Sequence, residues 1–211
     1  MRTSSIRVLL QLTICSLFSW HNKLYIVNPS IPLNSTDDTL PKNKGHESMG
    51  YLTYVIDHYD TLPAIIAFLH AHEIAEHADT PNNSNAEALR MLKLNWVKKN
   101  GYVNLRCNPD PGCFTKNPHI TPDIYIEMFT GTSTDVNRTA TYTGIRNIEV
   151  PLRVGQACCA QFAVTRERVR QRPKSDYELF RQWLLDTALD DAKSGRIFEY
   201  LWHIIFGMRA V

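Results

Sequence analysis

The order of apolar and polar positions changes from a helical to an extended period within the first hundred residues. Apolar side chains recur at helical spacing over residues 48–62, and Pro63 ends this predicted helix. The continuous apolar run over residues 65–69 predicts a buried strand. Helical spacing returns over residues 86–99, where the pattern turns Trp96 towards the core.

The second half of the chain continues the alternation of helices and strands. Its predicted elements are two short strands, a basic helix and an aromatic helix, at residues 102–105, 161–164, 165–172 and 197–207. Ser175 begins another helix, because Glu178 three residues later completes a capping box. Alternating helices and strands predict the class α/β, as a single three-layer α/β/α domain with a mostly parallel sheet over residues 21–211.

Residues 1–20 form an apolar N-terminal segment with two interpretations. Arg2 and Arg7 precede an uncharged run, which resembles a signal peptide and predicts the secretory pathway or secretion. The alternative is a first core strand over residues 7–14 in a cytoplasmic protein. Three N-glycosylation sequons support a glycoprotein, and they begin at Asn34, Asn82 and Asn137.

Composition narrows the classes of partner. The chain has 211 residues, 44% of them hydrophobic, and a formal net charge of +2. A polybasic surface is therefore absent from the sequence, which predicts no nucleic-acid partner. Membrane association is predicted only through the N-terminal segment, and the predicted partner is a small-molecule substrate.

Five cysteines allow more than one arrangement. Cys107 and Cys113 flank a proline-rich turn, whereas Cys158 and Cys159 are adjacent. In an oxidising compartment these four residues can form two bridges in three pairings. A vicinal bridge is strained, which favours pairing between the two clusters. In a reducing compartment all four would be free thiols.

A histidine cluster follows the predicted strand at residues 65–69. His70 and His72 point to one face of an extended segment, and His77 or Asp79 lies close enough in sequence to supply a third ligand. Imidazole and carboxylate ligands predict a divalent metal, manganese or zinc. The alternative is that these histidines cap turns or bond to the backbone.

Two further places carry candidate chemistry. Asn43, Gly45 and Glu47 lie where a loop enters a helix, so free N–H groups there are candidates for binding a phosphate. Glu199 and His203 are neighbours on one face of an apolar helix, and both are candidate catalytic residues. The alternative for Glu199 is a structural ion pair with Arg196 or His203. The four arginines of the basic helix favour a solvated face with some ion pairs to Glu167 or Asp176, and the alternative is one contact to a substrate phosphate.

Eight blocks of sequence stand out by their order. They read NKGHESM from residue 43, YLTY from 51, YD from 59, GYVNLRC from 101, PGC from 111, CCAQFAV from 158, SGR from 194 and EYLWHIIFG from 199. They resemble a largely fungal family called domain of unknown function 3431, over about residues 20–211. The activity of that family is not established, so the resemblance implies kinship more than function.

The order of the blocks is also similar to that of a glycosyltransferase of the GT-A type. This resemblance implies a metal-assisted transferase with a nucleotide sugar as its donor. His70 and His72 would stand where such enzymes usually carry an Asp-x-Asp motif, and Glu199 would act as a base. Two alternatives are a tailoring enzyme of fungal secondary metabolism that uses no sugar nucleotide, and a non-enzymatic binding or degenerate member.

Overall fold

The computed structural model describes residues 4–11, 20–27, 40–70, 78–108, 122–130, 151 and 153–210. The strands in this part of the chain are β1 (Ser4–Gln11), β2 (Trp20–Val27), β3 (Ile65–His70), β4 (Tyr102–Asn104) and β5 (Phe162–Thr165). The helices are α1 (Ser48–Asp57), α2 (Asn85–Met91), α3 (Leu94–Asn100), α4 (Pro122–Thr130), α5 (Arg166–Val169), α6 (Lys174–Asp186) and α7 (Asp191–Ile205).

The five strands form one sheet in the order β2-β1-β3-β5-β4. Every neighbouring pair is antiparallel, with Phe68 of β3 opposite Phe162 of β5, and Phe162 opposite Asn104 of β4. The class α/β is confirmed, but the prediction of a mostly parallel sheet is wrong. Alternation of helices and strands does not determine strand direction. Here β5 begins at the edge where β3 and β4 end, so it runs against both.

Side chains of β3 alternate between the two faces of the sheet, with one large apolar cluster on one face and two small clusters on the other. Phe68 belongs to the larger cluster, where its ring lies 4.7 Å from that of Tyr51 in α1. Trp202 of α7 packs on Phe162 in the same cluster, at 5.5 Å between ring centroids. On the other face, Leu69 packs with Leu89 of α2. Complete burial of one such side chain contributes about 1.5–3 kcal/mol, so both faces stabilise the sheet.

Several helix boundaries differ from the predictions. Helix α1 ends earlier than predicted, α5 is shorter than the predicted basic helix, and α7 begins six residues before the predicted aromatic helix. The single helix predicted over residues 86–99 is divided into α2 and α3, because Leu92 is extended, with a ψ of 118°. The break rotates the second half, so Val97 is buried and Trp96 is 54% exposed, contrary to the prediction for Trp96. The predicted capping box at Ser175 is also wrong, since α6 already begins at Lys174 and has no side-chain cap.

The N-terminal segment contributes a strand to the sheet. Residues 4–11 form β1, which pairs with β2 and with β3. The alternative of a first strand over residues 7–14 agrees with β1 at residues 7–11, whereas residues 12–14 lie outside the described residues. The compartment of the protein stays a prediction. None of the helices in the described ranges combines the length and apolar character that crossing a membrane requires.

Candidate functional site

The candidate site lies at one end of the strands of the sheet, where β3 and β4 end and β5 begins. We call this place the sheet edge. His70 is the last residue of β3, and its backbone N–H donates to Oε1 of Gln161 at 3.1 Å. Its carbonyl accepts a hydrogen bond from Nδ2 of Asn85 at 3.3 Å. These two hydrogen bonds hold the backbone of His70 on both sides, so the position from which its imidazole extends is fixed.

Glu47 brings a carboxyl group to this imidazole from the start of α1. Its Oε2 lies 3.8 Å from Nε2 of His70, and its side chain is only 14% exposed. Burial, and then the nearby carboxylates of Glu199 and Asp191, raise the pKa of Glu47 to about 8. Its own backbone N–H and the Arg196 guanidinium oppose this shift. Glu47 therefore holds a proton at neutral pH in the folded protein.

The loop before α1 is packed tightly against α7. Gly45 and His46 have φ values of +71° and +51°, and a Cβ built on Gly195 of α7 would lie 3.2 Å from the backbone of Gly45. The N–H of His46 donates to Oδ1 of Asp191 at 3.0 Å. The N–H group at this predicted phosphate site therefore already binds a carboxylate of the protein itself. Asn43, the first of the predicted phosphate-binding residues, is exposed.

Glu199 is fixed by two partners that belong to different parts of the fold. Its Oε1 accepts the N–H of Cys159 at 2.5 Å, and its Oε2 lies 3.2 Å from Nη1 of Arg196. The predicted ion pair with Arg196 is present. His203, one turn further along α7, is 4% exposed and has Nε2 3.3 Å from the carbonyl of Ala210. Burial lowers the pKa of His203, so its imidazole is neutral at pH 7.

Cys158 and Cys159 form a disulfide with each other. The prediction that the two cysteine clusters pair with one another is therefore wrong for this pair, and Cys107 is an exposed free thiol. Cys113 lies outside the described residues. The prediction relied on the strain of a vicinal bridge. The backbone accommodates this bridge with Cys159 and Ala160 both in the left-handed region, at φ +85° and +46°.

Arg106, which the sequence analysis did not single out, connects this disulfide to a turn after β4. It is 8% exposed, and its Nη1 lies 2.9 Å from Sγ of Cys158. Asp79 accepts hydrogen bonds from the N–H groups of Cys107 and Asn108 at 2.7 and 2.6 Å. Its other oxygen is 3.9 Å from Nε of Arg106. The structure therefore places the Asp79 carboxylate on this turn, where it holds the backbone.

The predicted metal ligands are only partly visible. His70 and Asp79 are described, whereas His72 and His77 lie outside the described residues. Within the described ranges, three potential ligand atoms approach within 4.8 Å of one another in the group of Cys158, Cys159 and Glu199. The two sulfurs of that group are bonded to each other, so it is not a ligand set in this oxidised form.

The arginines of α5 and the following turn lie at the other end of β5. Each donates to a main-chain carbonyl: Arg166 to Leu62, Arg168 to Asn100, Arg170 to Tyr59 and Asp60, and Arg172 to Ile205. Several of these carbonyls follow or end helices, where a positive charge is stabilised by the helix dipole. The ion pairs expected on a solvated face are present, between Arg166 and Glu167 and between Arg172 and Asp176. Beyond that expectation, the four arginines hold neighbouring chain segments together.

Comparison with known proteins identifies relatives only at the level of a family. A family model described as "Protein of unknown function (DUF3431)" matches residues 11–211. No curated protein and no solved structure matches the chain.

Proposed function

From the premise that the chain belongs to this family of unknown function, we propose that it is a metal-assisted transferase with its active site at the sheet edge. One observation carries this proposal. Glu47 of the α1 start, His70 of β3 and Glu199 of α7 converge on one place, although they lie far apart in sequence. The sheet itself does not contribute to the argument, since its antiparallel strands give no support for a GT-A-type fold.

Charge at the sheet edge favours a cation. The carboxylates of Glu199 and Asp191 both act on the carboxyl group of Glu47 there, and the Arg196 guanidinium opposes them at Glu47. Nε2 of His70 adds a nitrogen donor 3.8 Å from the Glu47 oxygen. Imidazole with carboxylate is a ligand set for manganese or zinc. We assign Glu47 and His70 as ligands of such a cation, which when bound would stabilise a negatively charged leaving group.

Glu199 is assigned to the acceptor. Its side chain is 12% exposed and both of its oxygens have a partner, so its orientation is fixed by the fold. A carboxylate held in this way can accept the proton of an attacking hydroxyl group without first reorganising. His203 is not assigned a catalytic role, because its ring bonds to the carbonyl of Ala210 within a buried environment.

Thermal unfolding with candidate donors tests the proposal. The purified protein is heated with each of a panel of nucleotide sugars, in manganese, in zinc and in EDTA. A ligand at a hundred times its dissociation constant adds about 2.7 kcal/mol, which raises the midpoint by roughly 5–10 °C. We expect a shift that needs both one nucleotide sugar and a metal.

Variants assign that shift to the sheet edge. His70→Ala and Glu47→Gln are expected to abolish the metal-dependent shift, while His21→Ala, at an exposed position on β2, leaves it unchanged. A shift with metal alone would favour the tailoring-enzyme alternative, which uses no sugar nucleotide. The absence of any shift would contradict the transferase and favour a binding role.

A further inference from the structure

The vicinal cysteine pair lies in a four-residue segment that touches both sides of the candidate site. Cys159 donates its N–H to Glu199, and Gln161 accepts the N–H of His70. We propose that Cys158 and Cys159 are a reversible thiol–disulfide exchange site, and that its redox state changes the environment of Glu199. That this coupling regulates catalysis rests on the proposed function; the exchange itself does not.

The backbone supports a difference between the two redox states. Cys159 and Ala160 are consecutive non-glycine residues with φ values of +85° and +46°. A left-handed non-glycine residue is unfavourable and persists only where its surroundings enforce it. The covalent ring between neighbouring cysteines is such a constraint for Cys159, because the bond about which its φ turns is part of that ring. Once the ring opens, Cys159 is free to return to an ordinary φ value, and its N–H then turns away from Glu199.

The position of Arg106 favours thiol–disulfide exchange at Cys158 and Cys159. Its guanidinium is 2.9 Å from Sγ of Cys158 and 3.6 Å from Sγ of Cys159, and it is almost entirely buried. A buried positive charge beside a sulfur stabilises the thiolate, which is the form that attacks a disulfide. The geometry therefore favours rapid closure of the reduced pair in the presence of an oxidised partner.

A small dithiol can supply the electrons and protons that reduction of the cysteine pair requires. A thiolate of dithiothreitol attacks one sulfur of the pair, the Cys158–Cys159 bond breaks, and a mixed disulfide forms. The second dithiothreitol thiol attacks that mixed disulfide and releases the reductant as its cyclic disulfide. Two electrons and two protons pass to the protein, which now carries two thiols. Oxidised dithiothreitol drives the reverse reaction.

An equilibrium titration of the folded full-length chain tests the proposal. The protein is held at a series of ratios of reduced to oxidised dithiothreitol, its thiols are blocked with N-ethylmaleimide, and peptides are weighed by mass spectrometry. The tryptic peptide over residues 154–166 contains both cysteines and reports their state directly. We expect one reversible two-electron transition in this peptide, while circular dichroism shows that the protein remains folded.

Coupling to Glu199 is measured in the same experiment. Glu199→Gln replaces a charged acceptor of the Cys159 N–H by a neutral one, so the disulfide state should lose stability relative to the dithiol. Charged acceptors form bonds roughly twice as strong as neutral ones, which predicts a shift of about five- to tenfold towards the dithiol. Glu167→Gln, at a side chain that is 67% exposed, is the matched control and should show no shift.

The results test which bridge reacts, whether the exchange site exists and whether it is coupled to Glu199. Cys107→Ser should leave the transition unchanged, because Cys107 is not part of the pair; loss of the transition in that variant would show that a different bridge reacts. A peptide that becomes reduced only when the protein unfolds would overturn the exchange site. An equilibrium that Glu199→Gln does not move would overturn the coupling. Since the readout is mass and not turnover, these results are independent of whether the protein is a transferase.

Discussion

The two ends of β5 use charged side chains in opposite ways. Beyond its C-terminal end, four arginines donate to main-chain carbonyls, so each positive charge has a partner that folding itself supplies. At its N-terminal end, Glu47 is buried near other carboxylates and keeps a proton at neutral pH. The arginine contacts lower the free energy of the folded state. The carboxyl groups at the sheet edge raise it, which is typical of groups held for binding or catalysis.

Substitution of Glu47 gives the largest expected effect. Glu47→Gln keeps the shape of the protonated side chain but cannot ionise. An unfolded chain releases the Glu47 proton near pH 4.5, whereas the folded protein keeps it until about pH 8. The folded wild type therefore binds more protons between these values, and its stability falls as the pH rises. The variant should gain up to about 4–5 kcal/mol over wild type by pH 8.

Urea unfolding of both proteins at pH 5, 6.5 and 8.5 measures this gain. We expect similar stabilities near pH 4.5 and a difference that grows up to pH 8 and then stays constant. Glu167→Gln, at the exposed side chain, is the control and should follow wild type throughout. A Glu47→Gln variant with a constant difference at every pH would show that the two ends do not differ in the way described above.

Removal of one arginine tests the other end. Arg172 donates to the carbonyl of Ile205 at 2.8 Å and to Asp176 at 2.9 Å, and its guanidinium lies over the rings of Phe129 and Phe180. Arg172→Ala removes these contacts and leaves a half-buried carboxylate without its cation. We expect a loss of about 3 kcal/mol in the free energy of unfolding, measured by urea denaturation.

Arg166 provides the matched control for that loss. Its side chain is 39% exposed, and its contacts are the carbonyl of Leu62 and the exposed carboxylate of Glu167. Because solvent screens such a pair, Arg166→Ala should lower stability by less than about 1 kcal/mol. Equal losses in the two variants would contradict the view that burial decides how much each arginine contributes.

Substitution of two glycines by alanine compares how tightly the same two ends are packed. Gly45 at the sheet edge and Gly207 near the arginines have nearly equal φ values, +71° and +72°. A Cβ on Gly45 would lie 2.5 Å from Cδ1 of Leu184, whereas a Cβ on Gly207 would lie 3.6 Å from Nη1 of Arg168. Both alanine variants carry the same backbone strain, but only the first adds a steric clash.

Their difference in stability therefore isolates the clash. We expect Gly207→Ala to lose about 1 kcal/mol and Gly45→Ala about 2 kcal/mol, both read from the thermal midpoint. If the two variants unfold at the same temperature, Leu184 moves aside without cost and the loop before α1 is less tightly packed than its contacts indicate.

Local patterns in the sequence were enough to place several elements, but not to orient them. The apolar run at residues 65–69 predicted β3, which spans Ile65–His70. Strand direction depends on which edge of the sheet the chain returns to, and no local pattern encodes that choice. For this reason α/β was predicted correctly while a parallel sheet was not.

The candidate site shows the same limit at the level of side chains. Glu47 and His70 were each singled out for lying at the end of an element, yet as members of separate sites. Their approach to 3.8 Å depends on how α1 packs on the sheet. Arg106 was missed because its partner, Cys158, lies 52 residues further along the chain. A buried arginine is recognisable from sequence only when the residue that it contacts is already known.

The pH dependence of metal affinity is the smallest of the expected effects, and it joins the stability argument to the proposed function. A cation bound by the Glu47 carboxylate must displace the proton that this group holds below about pH 8. Affinity for manganese or zinc should therefore rise by roughly fivefold between pH 7 and pH 8, as measured by calorimetric titration. In Glu47→Gln this proton is absent, so any residual affinity from His70 should lose that slope. If wild type binds metal with the same affinity at both pH values, the cation does not contact Glu47. The raised pKa of Glu47 would then serve proton transfer, and the ligands that bind the cation together with His70 would have to come from another part of the chain.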